Sequence, residues 1–142
     1  MSTARFSLRL RVYHEDTDAG GIVYYANYLR FMERARTEWL RTLAAAQRQP
    51  TVSEGTMFVV REAHLQYLSP ARLDDELEID AVPTEVRRAS LRIAQTVTRV
   101  GDSRPLVLGQ IRLAVVDRVS ARPAPLASWL HETLAPLAVE PR

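Results

Sequence analysis

The stretch of this chain best suited to chemistry is an acidic loop, HEDTD at residues 14–18, followed closely by the glycine pair Gly20 and Gly21. A helical segment is expected directly after it, and a helix N-terminus offers unpaired backbone N–H groups and a partial positive charge. Such donors stabilise an oxyanion on a substrate carbonyl, while Asp16 or Asp18 would act as nucleophile or as general base on water. The residue types therefore indicate a minimal hydrolytic site for an activated acyl group.

Two other interpretations of this loop stay open on the residues alone. An Asp-x-Asp pattern before a helix commonly builds turns and caps helices. His14, Asp16 and Asp18 also carry metal-ligand chemistry. Together they form an incomplete ligand set, so the sequence predicts no metal site.

The elements that position the loop follow from hydrophobic periodicity. Alternating apolar residues predict a strand over residues 6–13, and apolar spacings of three and four predict a long helix from about 26 to 46. Asn27 is the expected N-cap of this helix. Four further strands are predicted over residues 58–68, 76–82, 89–100 and 106–116, with a short helix over 126–134. This order predicts an α+β fold with a mostly antiparallel sheet around one helix.

Length and composition narrow the class of protein. The 142 residues fit one domain, predicted to span 1–142 with a short helix and tail at about 122–142. The chain has no cysteine, which excludes disulfides, a thiol nucleophile and cysteine-ligated metals. All 19 basic residues are arginines interspersed with 17 acids, so no basic run is long enough to predict nucleic-acid binding.

The N-terminal segment shows no targeting signal. Arginines interrupt it and no apolar h-region follows, so a signal peptide is not expected. No apolar stretch approaches the roughly 20 residues of a transmembrane helix. We therefore expect a soluble, cytoplasmic protein with no transmembrane segment.

Three segments carry a resemblance to a known family. EDTDAGGIVYYANYLRFMERARTEWL at 15–40 closely resembles the opening of the 4-hydroxybenzoyl-CoA thioesterase-like hotdog family, nearest to its YbgC type, the acyl-CoA thioesterases associated with the tol-pal system. FVVREAHLQYLSPARLDDELEI at 58–79 and RRASLRIAQTV at 87–97 are also similar to that type. The resemblance implies the hotdog fold, a curved antiparallel five-stranded sheet wrapped around one long helix. It also implies homodimers, usually paired into homotetramers, with active sites at the subunit interface.

The resemblance assigns the catalytic role to Asp18, as nucleophile or general base, and the carbonyl-binding backbone N–H to Tyr25. Many members have a histidine where this chain has Tyr25, so no role of that histidine side chain is predicted here. Gly20 and Gly21 would allow close approach of the acyl group. Asp16 is expected to shape the loop by accepting backbone N–H bonds.

Six further residues are substrate-binding candidates by resemblance. Val59, Val60 and Arg61 lie on the strand that lines the neighbouring subunit's site in the family. Arg87, Arg88 and Ser90 lie where members contact pantetheine or phosphate, for which arginine is well suited. The alternatives are a plain core strand for the first group and solvated surface arginines for the second.

The sequence thus predicts an acyl-CoA thioesterase that releases a free acid and CoA, with no metal or organic cofactor, CoA being part of the substrate. One rival is a hydratase or dehydratase on the same fold, which needs a histidine paired with an acid, and the loop after Asp18 offers none. The other is a catalytically weak partner that binds acyl carrier protein or a cell-envelope complex. Acyl chain length, aromatic preference, the carrier and dimer versus tetramer stay open at this point.

Overall fold

The computed structural model describes residues 5–50 and 54–140. The elements, in chain order, are β1 (Phe6–Arg11), α1 (Asn27–Ala46), β2 (Thr56–Tyr67), β3 (Glu76–Val86), β4 (Ser90–Arg99), β5 (Pro105–Asp117) and α2 (Ser128–Leu134). One 3₁₀ turn, His14–Asp16, precedes α1, and another, Ala135–Leu137, follows α2. The strands form one curved antiparallel sheet in the order β1-β3-β4-β5-β2, so the predicted α+β class and element order are confirmed.

The third strand shows the largest difference from the predicted bounds. β3 continues through Pro83 to Val86, four residues past the expected end at Val82. Its pairing with edge strand β1 stops where Ala81 faces Phe6, so the missing N–H of Pro83 breaks no bond in that ladder. The Pro83 carbonyl accepts the N–H of Val139, with an N···O distance of 3.0 Å.

The periodicity of the long helix places six apolar residues on one face: Tyr28, Phe31, Met32, Ala35, Trp39 and Leu43. The first five are buried as predicted, whereas Leu43 is only half-buried. The prediction of Asn27 as N-cap was wrong, because Asn27 is already the first helical residue. Its side-chain amide instead donates to the backbone carbonyl of Asp16 at 2.9 Å. This bond ties the start of α1 to the acidic loop. Over residues 5–50 and 54–140, we find no helix with the length and apolar character of a membrane span.

The described residues group into two compact units, each with its own buried side chains. The first unit comprises 5–39, 65–81 and 95–109, and the second comprises 40–50, 54–64, 82–94 and 110–140. The acidic loop belongs to the first unit. The single domain predicted for 1–142 stays a prediction, and its residues 1–4, 51–53 and 141–142 lie outside the described ranges.

A buried amide fixes α1 within the first unit. The side-chain NH₂ of Gln95 on β4 donates to the carbonyls of Met32 at 3.0 Å and Asp80 at 3.2 Å. Its side-chain oxygen accepts Nη1 of Arg36 at 3.0 Å. Burial lowers the pKa of the Arg36 guanidinium, an effect that the charge of Glu33 partly offsets. Because unpaired buried polar groups are costly, these bonds favour one register of the helix.

Candidate active site

The acidic loop folds as a tight hairpin between the 3₁₀ turn and α1. The N–H of Asp18 donates to the Ile22 carbonyl at 2.9 Å, and the N–H of Gly21 donates back to the Asp18 carbonyl at 3.1 Å. Thr17 and Val23 form an antiparallel bridge below this turn. Gly21 has a φ of 79°, in the left-handed region that favours glycine. The second glycine of the pair is therefore required by the turn that presents Asp18.

The side chain of Asp18 is exposed at the tip of this hairpin. Its Oδ1 accepts the N–H of Gly20 at 2.8 Å. A Cβ at Gly20 would lie 3.3 Å from that oxygen, so a larger residue would crowd the carboxylate. Oδ2 has no hydrogen-bond partner among the residues that the structure describes. One carboxylate oxygen is thus anchored and the other is open to a substrate or a water molecule.

Asp16 occupies the stem of the same hairpin and is half-buried. Its Oδ2 accepts the N–H of Tyr13 at 2.8 Å. Its backbone carbonyl accepts the N–H of Tyr24 and the side-chain amide of Asn27, each at 2.9 Å. The predicted role of Asp16, shaping the loop through a bond to a backbone N–H, is confirmed.

The backbone of Tyr25 lies two residues before α1 begins. The Tyr24 carbonyl, which shares a peptide group with the Tyr25 N–H, accepts the N–H of Asn27 at 2.8 Å. That bond polarises the peptide group and strengthens its N–H as a donor. The Tyr25 N–H itself meets no acceptor within residues 5–50 and 54–140. It is therefore a donor available to the carbonyl oxygen of a bound molecule.

Four tyrosine rings, which we call the tyrosine cluster, pack around this backbone. Ring centroids are 4.9 Å apart for Tyr24 and Tyr25, 6.2 Å for Tyr25 and Tyr67, and 5.8 Å for Tyr28 and Tyr67. The Tyr67 hydroxyl donates to the Tyr25 carbonyl at 3.2 Å. Burial and the neighbouring Tyr25 raise the pKa of Tyr67, so its hydroxyl stays a donor at neutral pH.

The cluster extends inward through Tyr28, whose hydroxyl accepts the N–H of Ala71 at 3.1 Å. Burial raises the pKa of this hydroxyl. Sequence reasoning placed Tyr28 in the core and gave Tyr67 no role. The available signal was the position of Tyr67 three residues before the PARLDD sequence at 70–75.

Two groups of predicted substrate residues lie in the second unit. On β2, Val59 is half-buried, Val60 is 53% exposed and Arg61 is exposed. Val60 and Arg61 are therefore accessible to a ligand and Val59 is less so, and the role of all three in lining a neighbouring subunit's site stays a prediction.

The other group lies at the turn between β3 and β4. The Arg87 N–H donates to the Ser90 carbonyl at 2.9 Å, which closes this turn. The Arg87 guanidinium pairs with Glu85 at 2.9 Å, and Glu85 also accepts Nε of Arg92 at 3.0 Å. The Arg88 carbonyl accepts the N–H of Leu126 at 2.7 Å. One carboxylate thus faces two guanidinium groups, so these three side chains together carry a net positive charge.

The predicted absence of a metal site stays a prediction. His14 lies exposed in the 3₁₀ turn. No cluster of three or more His, Cys, Asp or Glu residues arranged for a metal ion occurs in the described part of the chain.

Comparison with known proteins agrees with this fold. Residues 20–105 match the family described as the Thioesterase superfamily. The acyl-CoA thioester hydrolase YbgC of Escherichia coli O157:H7 is 42% identical over 89% of this chain and 92% of its own length. The acyl-CoA thioesterase YbgC of Haemophilus influenzae is 41% identical over 83% and 85%. The crystal structure of a probable thioesterase from Bartonella henselae superposes with a TM-score of 0.74 at 31% identity, covering 87% of this chain and 99% of that one.

Proposed function

Because this chain belongs to the thioesterase superfamily, we propose that it hydrolyses acyl-CoA thioesters to a free acid and CoA, with Asp18 as the catalytic carboxylate. The family match and the YbgC relatives confirm the hotdog fold and the resemblance carried by the motifs. The observation that best supports the role of Asp18 is its exposed carboxylate, anchored through one oxygen only. The same hairpin leads directly to the unpaired N–H of Tyr25.

Two routes use this arrangement. In the first, a carboxylate oxygen of Asp18 attacks the thioester carbon, the C–S bond breaks, and CoA leaves as thiolate, which gives an acyl–Asp18 anhydride that water then hydrolyses to the free acid. In the second, Asp18 removes a proton from water as that water attacks the carbon, and the C–S bond then breaks to release CoA as thiolate and the free acid. In both routes the Tyr25 N–H donates to the carbonyl oxygen as negative charge develops there. One such donor is worth roughly 10²–10³-fold in rate.

The side chain of Tyr25 has a binding role in this proposal. It replaces the histidine of many YbgC-type proteins, and a phenol is a poor base at neutral pH. Its ring is 61% exposed and meets Tyr67 edge-on. An exposed aromatic ring offers apolar surface to the acyl group or to pantetheine.

The remaining predicted residues act in substrate binding under this proposal. Gly20 and Gly21 let the acyl group approach the loop, while Val59, Val60, Arg61, Arg87, Arg88 and Ser90 serve a site completed by a second subunit.

Two observations support a homodimer or tetramer. β2 is an edge strand, and edge strands invite pairing. The first unit also exposes the large apolar residues Tyr13, Tyr24, Tyr25, Leu29, Tyr67 and Leu68. The reaction needs no cofactor, and a cytoplasmic location and a tol-pal association stay predictions.

The decisive experiment is thiol release from a panel of short, long and aromatic acyl-CoAs, with Asp18→Asn beside the unchanged protein. We expect turnover of at least one substrate and a loss of at least roughly a hundredfold in Asp18→Asn, about 2.7 kcal/mol of transition-state stabilisation. Glu15→Gln is the matched control, because it removes the same charge from an exposed position in the same loop. It should retain activity within about threefold.

Two outcomes contradict the proposal. If the folded, oligomeric protein cleaves nothing in the panel, it is not an acyl-CoA thioesterase for these substrates. If Asp18→Asn matches Glu15→Gln, Asp18 is not the catalytic carboxylate. Slow turnover throughout, together with tight binding to acyl carrier protein, would favour the alternative of a binding partner.

A further inference from the structure

We propose that Asp75 is a positioning residue that holds Asp18 in place through the turn of residues 70–75, which we call the PARLDD loop. This inference rests on the proposed function. The Asp75 carboxylate takes no part in the proposed reaction itself.

The Asp75 carboxylate closes the PARLDD loop from within. Its Oδ2 accepts the N–H of Arg72 at 2.8 Å and Nε of Arg99 at 3.0 Å. Arg99, on β4, also donates from Nη2 to the Pro70 carbonyl at 3.3 Å. A single guanidinium therefore joins the first and last residues of the loop. The Asp75 and Arg99 side chains are only 22% and 33% exposed, so solvent screens the pair less than a surface pair.

The loop closed in this way pairs with the hairpin that presents Asp18. The N–H of Val23 donates to the Ala71 carbonyl at 2.9 Å, and Ile22 and Arg72 form an antiparallel bridge. Ile22 is the residue whose carbonyl accepts the Asp18 N–H. Two hydrogen-bonded steps thus connect the PARLDD loop to the catalytic backbone.

The opposite side of the PARLDD loop is fixed to the end of β1. The N–H of Val12 donates to the Asp75 carbonyl at 2.9 Å, and the N–H of Asp74 donates to the Val12 carbonyl at 3.0 Å. Arg11 adds a bond from Nη1 to the Asp74 carbonyl at 2.7 Å. Asp74 has a φ of 71°, a conformation that persists only where neighbouring bonds determine it. The loop is therefore a rigid spacer between β1 and the catalytic hairpin.

Loss of the Asp75 charge should loosen this spacer without removing any group that reacts. The amide oxygen of the variant can still accept from the Arg99 guanidinium and the Arg72 N–H, but it is a neutral and therefore weaker acceptor for both. Catalysis is sensitive to such changes, because a shift of about 1 Å in a reacting group costs roughly a hundredfold in rate. A smaller displacement of Asp18 is expected to lower kcat about tenfold and to leave KM within about twofold.

The test compares Asp75→Asn with Asp102→Asn. Asp102 forms a more exposed pair with Arg104 at 2.9 Å, and its side-chain hydrogen bonds go only to Arg104 within the turn between β4 and β5. In both variants we would measure kcat and KM on the best acyl-CoA of the panel, and amide hydrogen exchange over residues 16–24. Asp75→Asn should lower kcat about tenfold and raise the hydrogen-exchange rates of the Asp18 and Val23 amides. Asp102→Asn should change neither quantity.

Each outcome decides the proposal. Unchanged exchange at Asp18 and Val23, or faster exchange with unchanged kcat, would overturn it. If the unchanged protein cleaves no acyl-CoA, the proposed function fails, while the exchange data still show whether Asp75 holds the hairpin. If Asp75→Asn does not fold, Arg99→Lys replaces it. Arg99→Lys keeps the positive charge but cannot bond Asp75 and Pro70 together as the guanidinium does. The fall in kcat and the faster amide exchange should therefore be smaller in this variant.

Discussion

Asp16 and Asp18 carry the same side chain two positions apart, and the fold gives them opposite surroundings. The half-buried Asp16 receives three hydrogen bonds, one on its carboxylate and two on its backbone carbonyl. Asp18 is exposed and receives two, one from Gly20 on its carboxylate and one from Gly21 on its backbone carbonyl. Each carboxylate thus accepts one backbone N–H. The difference is that the Asp16 carbonyl binds the start of α1, whereas the exposed Asp18 side chain is left open to a ligand.

The difference follows from position in the hairpin. Asp16 lies at the stem, where Tyr24 and Asn27 return within reach of its backbone carbonyl. Asp18 lies at the tip, where the chain reverses through Gly21 and its side chain is exposed. Substitutions at the two positions should therefore separate catalysis from stability.

The largest expected effect is the loss of activity in Asp18→Asn without loss of stability. We expect kcat/KM to fall at least roughly a hundredfold, because the amide cannot act as nucleophile or base. The midpoint of urea unfolding should stay unchanged, because the side-chain oxygen can still accept the Gly20 N–H. A large drop in that midpoint would mean that Asp18 is also a structural residue, and the contrast with Asp16 would disappear.

Asp16→Ala should show the reverse pattern. The Tyr13 N–H loses its acceptor, and the net contribution of one hydrogen bond is about 0.5–1.5 kcal/mol in the free energy of unfolding. Activity should fall less than in Asp18→Asn, because no reacting group is removed. Urea unfolding and thiol release on the same samples check this, with Glu15→Ala as the neighbouring control. Equal stability of Asp16→Ala and Glu15→Ala would refute the structural role of Asp16.

Tyr67→Phe tests the support of the Tyr25 backbone, whose N–H is the proposed donor to the substrate carbonyl. It removes the hydroxyl that holds the Tyr25 carbonyl and keeps the ring contacts of the tyrosine cluster. We expect kcat to fall about threefold to tenfold, the size of a net hydrogen bond of about 1 kcal/mol. Tyr13→Phe, which alters an exposed hydroxyl, is the control in the same assay. Identical kcat values for the two variants would show that the Tyr67 hydroxyl is dispensable.

The smallest effect concerns an aspartate far from the hairpin in sequence. Hydrogen bonds from Arg104 lower the pKa of Asp102 from its ordinary value of 3.8 to about 2. A carboxyl with a lowered folded-state pKa stabilises the fold above its unfolded pKa, and this contribution is lost as pH falls toward 2. Asp102→Asn should therefore show a slightly shallower loss of stability between pH 4 and pH 2. Urea midpoints across that range measure it, and parallel curves would contradict the assignment.

Local patterns in the sequence were enough to predict the element order, most of the buried face of α1 and the loop that carries Asp18, but not that this loop is a hairpin. These patterns failed where a hydrogen bond between residues far apart in the sequence determines the local structure. Asn27 starts α1 because its amide reaches Asp16, and Pro83 stays in β3 beyond the end of its pairing with β1. Periodicity reports which residues face inward, but it does not report which partner they meet.

The candidate site likewise combines features that the local sequence predicts with features that depend on long-range bonds. The motif placed Asp18, Gly20, Gly21 and Tyr25 in one loop, as the structure finds. The supporting bonds from Tyr67 to Tyr25 and from Arg99 to Asp75 join positions 42 and 24 residues apart. Such contacts exist only once the sheet has formed, so the spacing of residues in the sequence does not predict them.

The tyrosine cluster also gives this protein an optical signal of its own. Four of its five tyrosines lie in the cluster, with neighbouring rings 4.9–6.2 Å apart and fixed at steep angles to one another. Aromatic rings held rigidly at such distances couple their transitions, so the tyrosine band of the near-ultraviolet circular dichroism should report chiefly on the backbone around Tyr25. Substrate titrations can then be followed in a cysteine-free chain without attaching any dye.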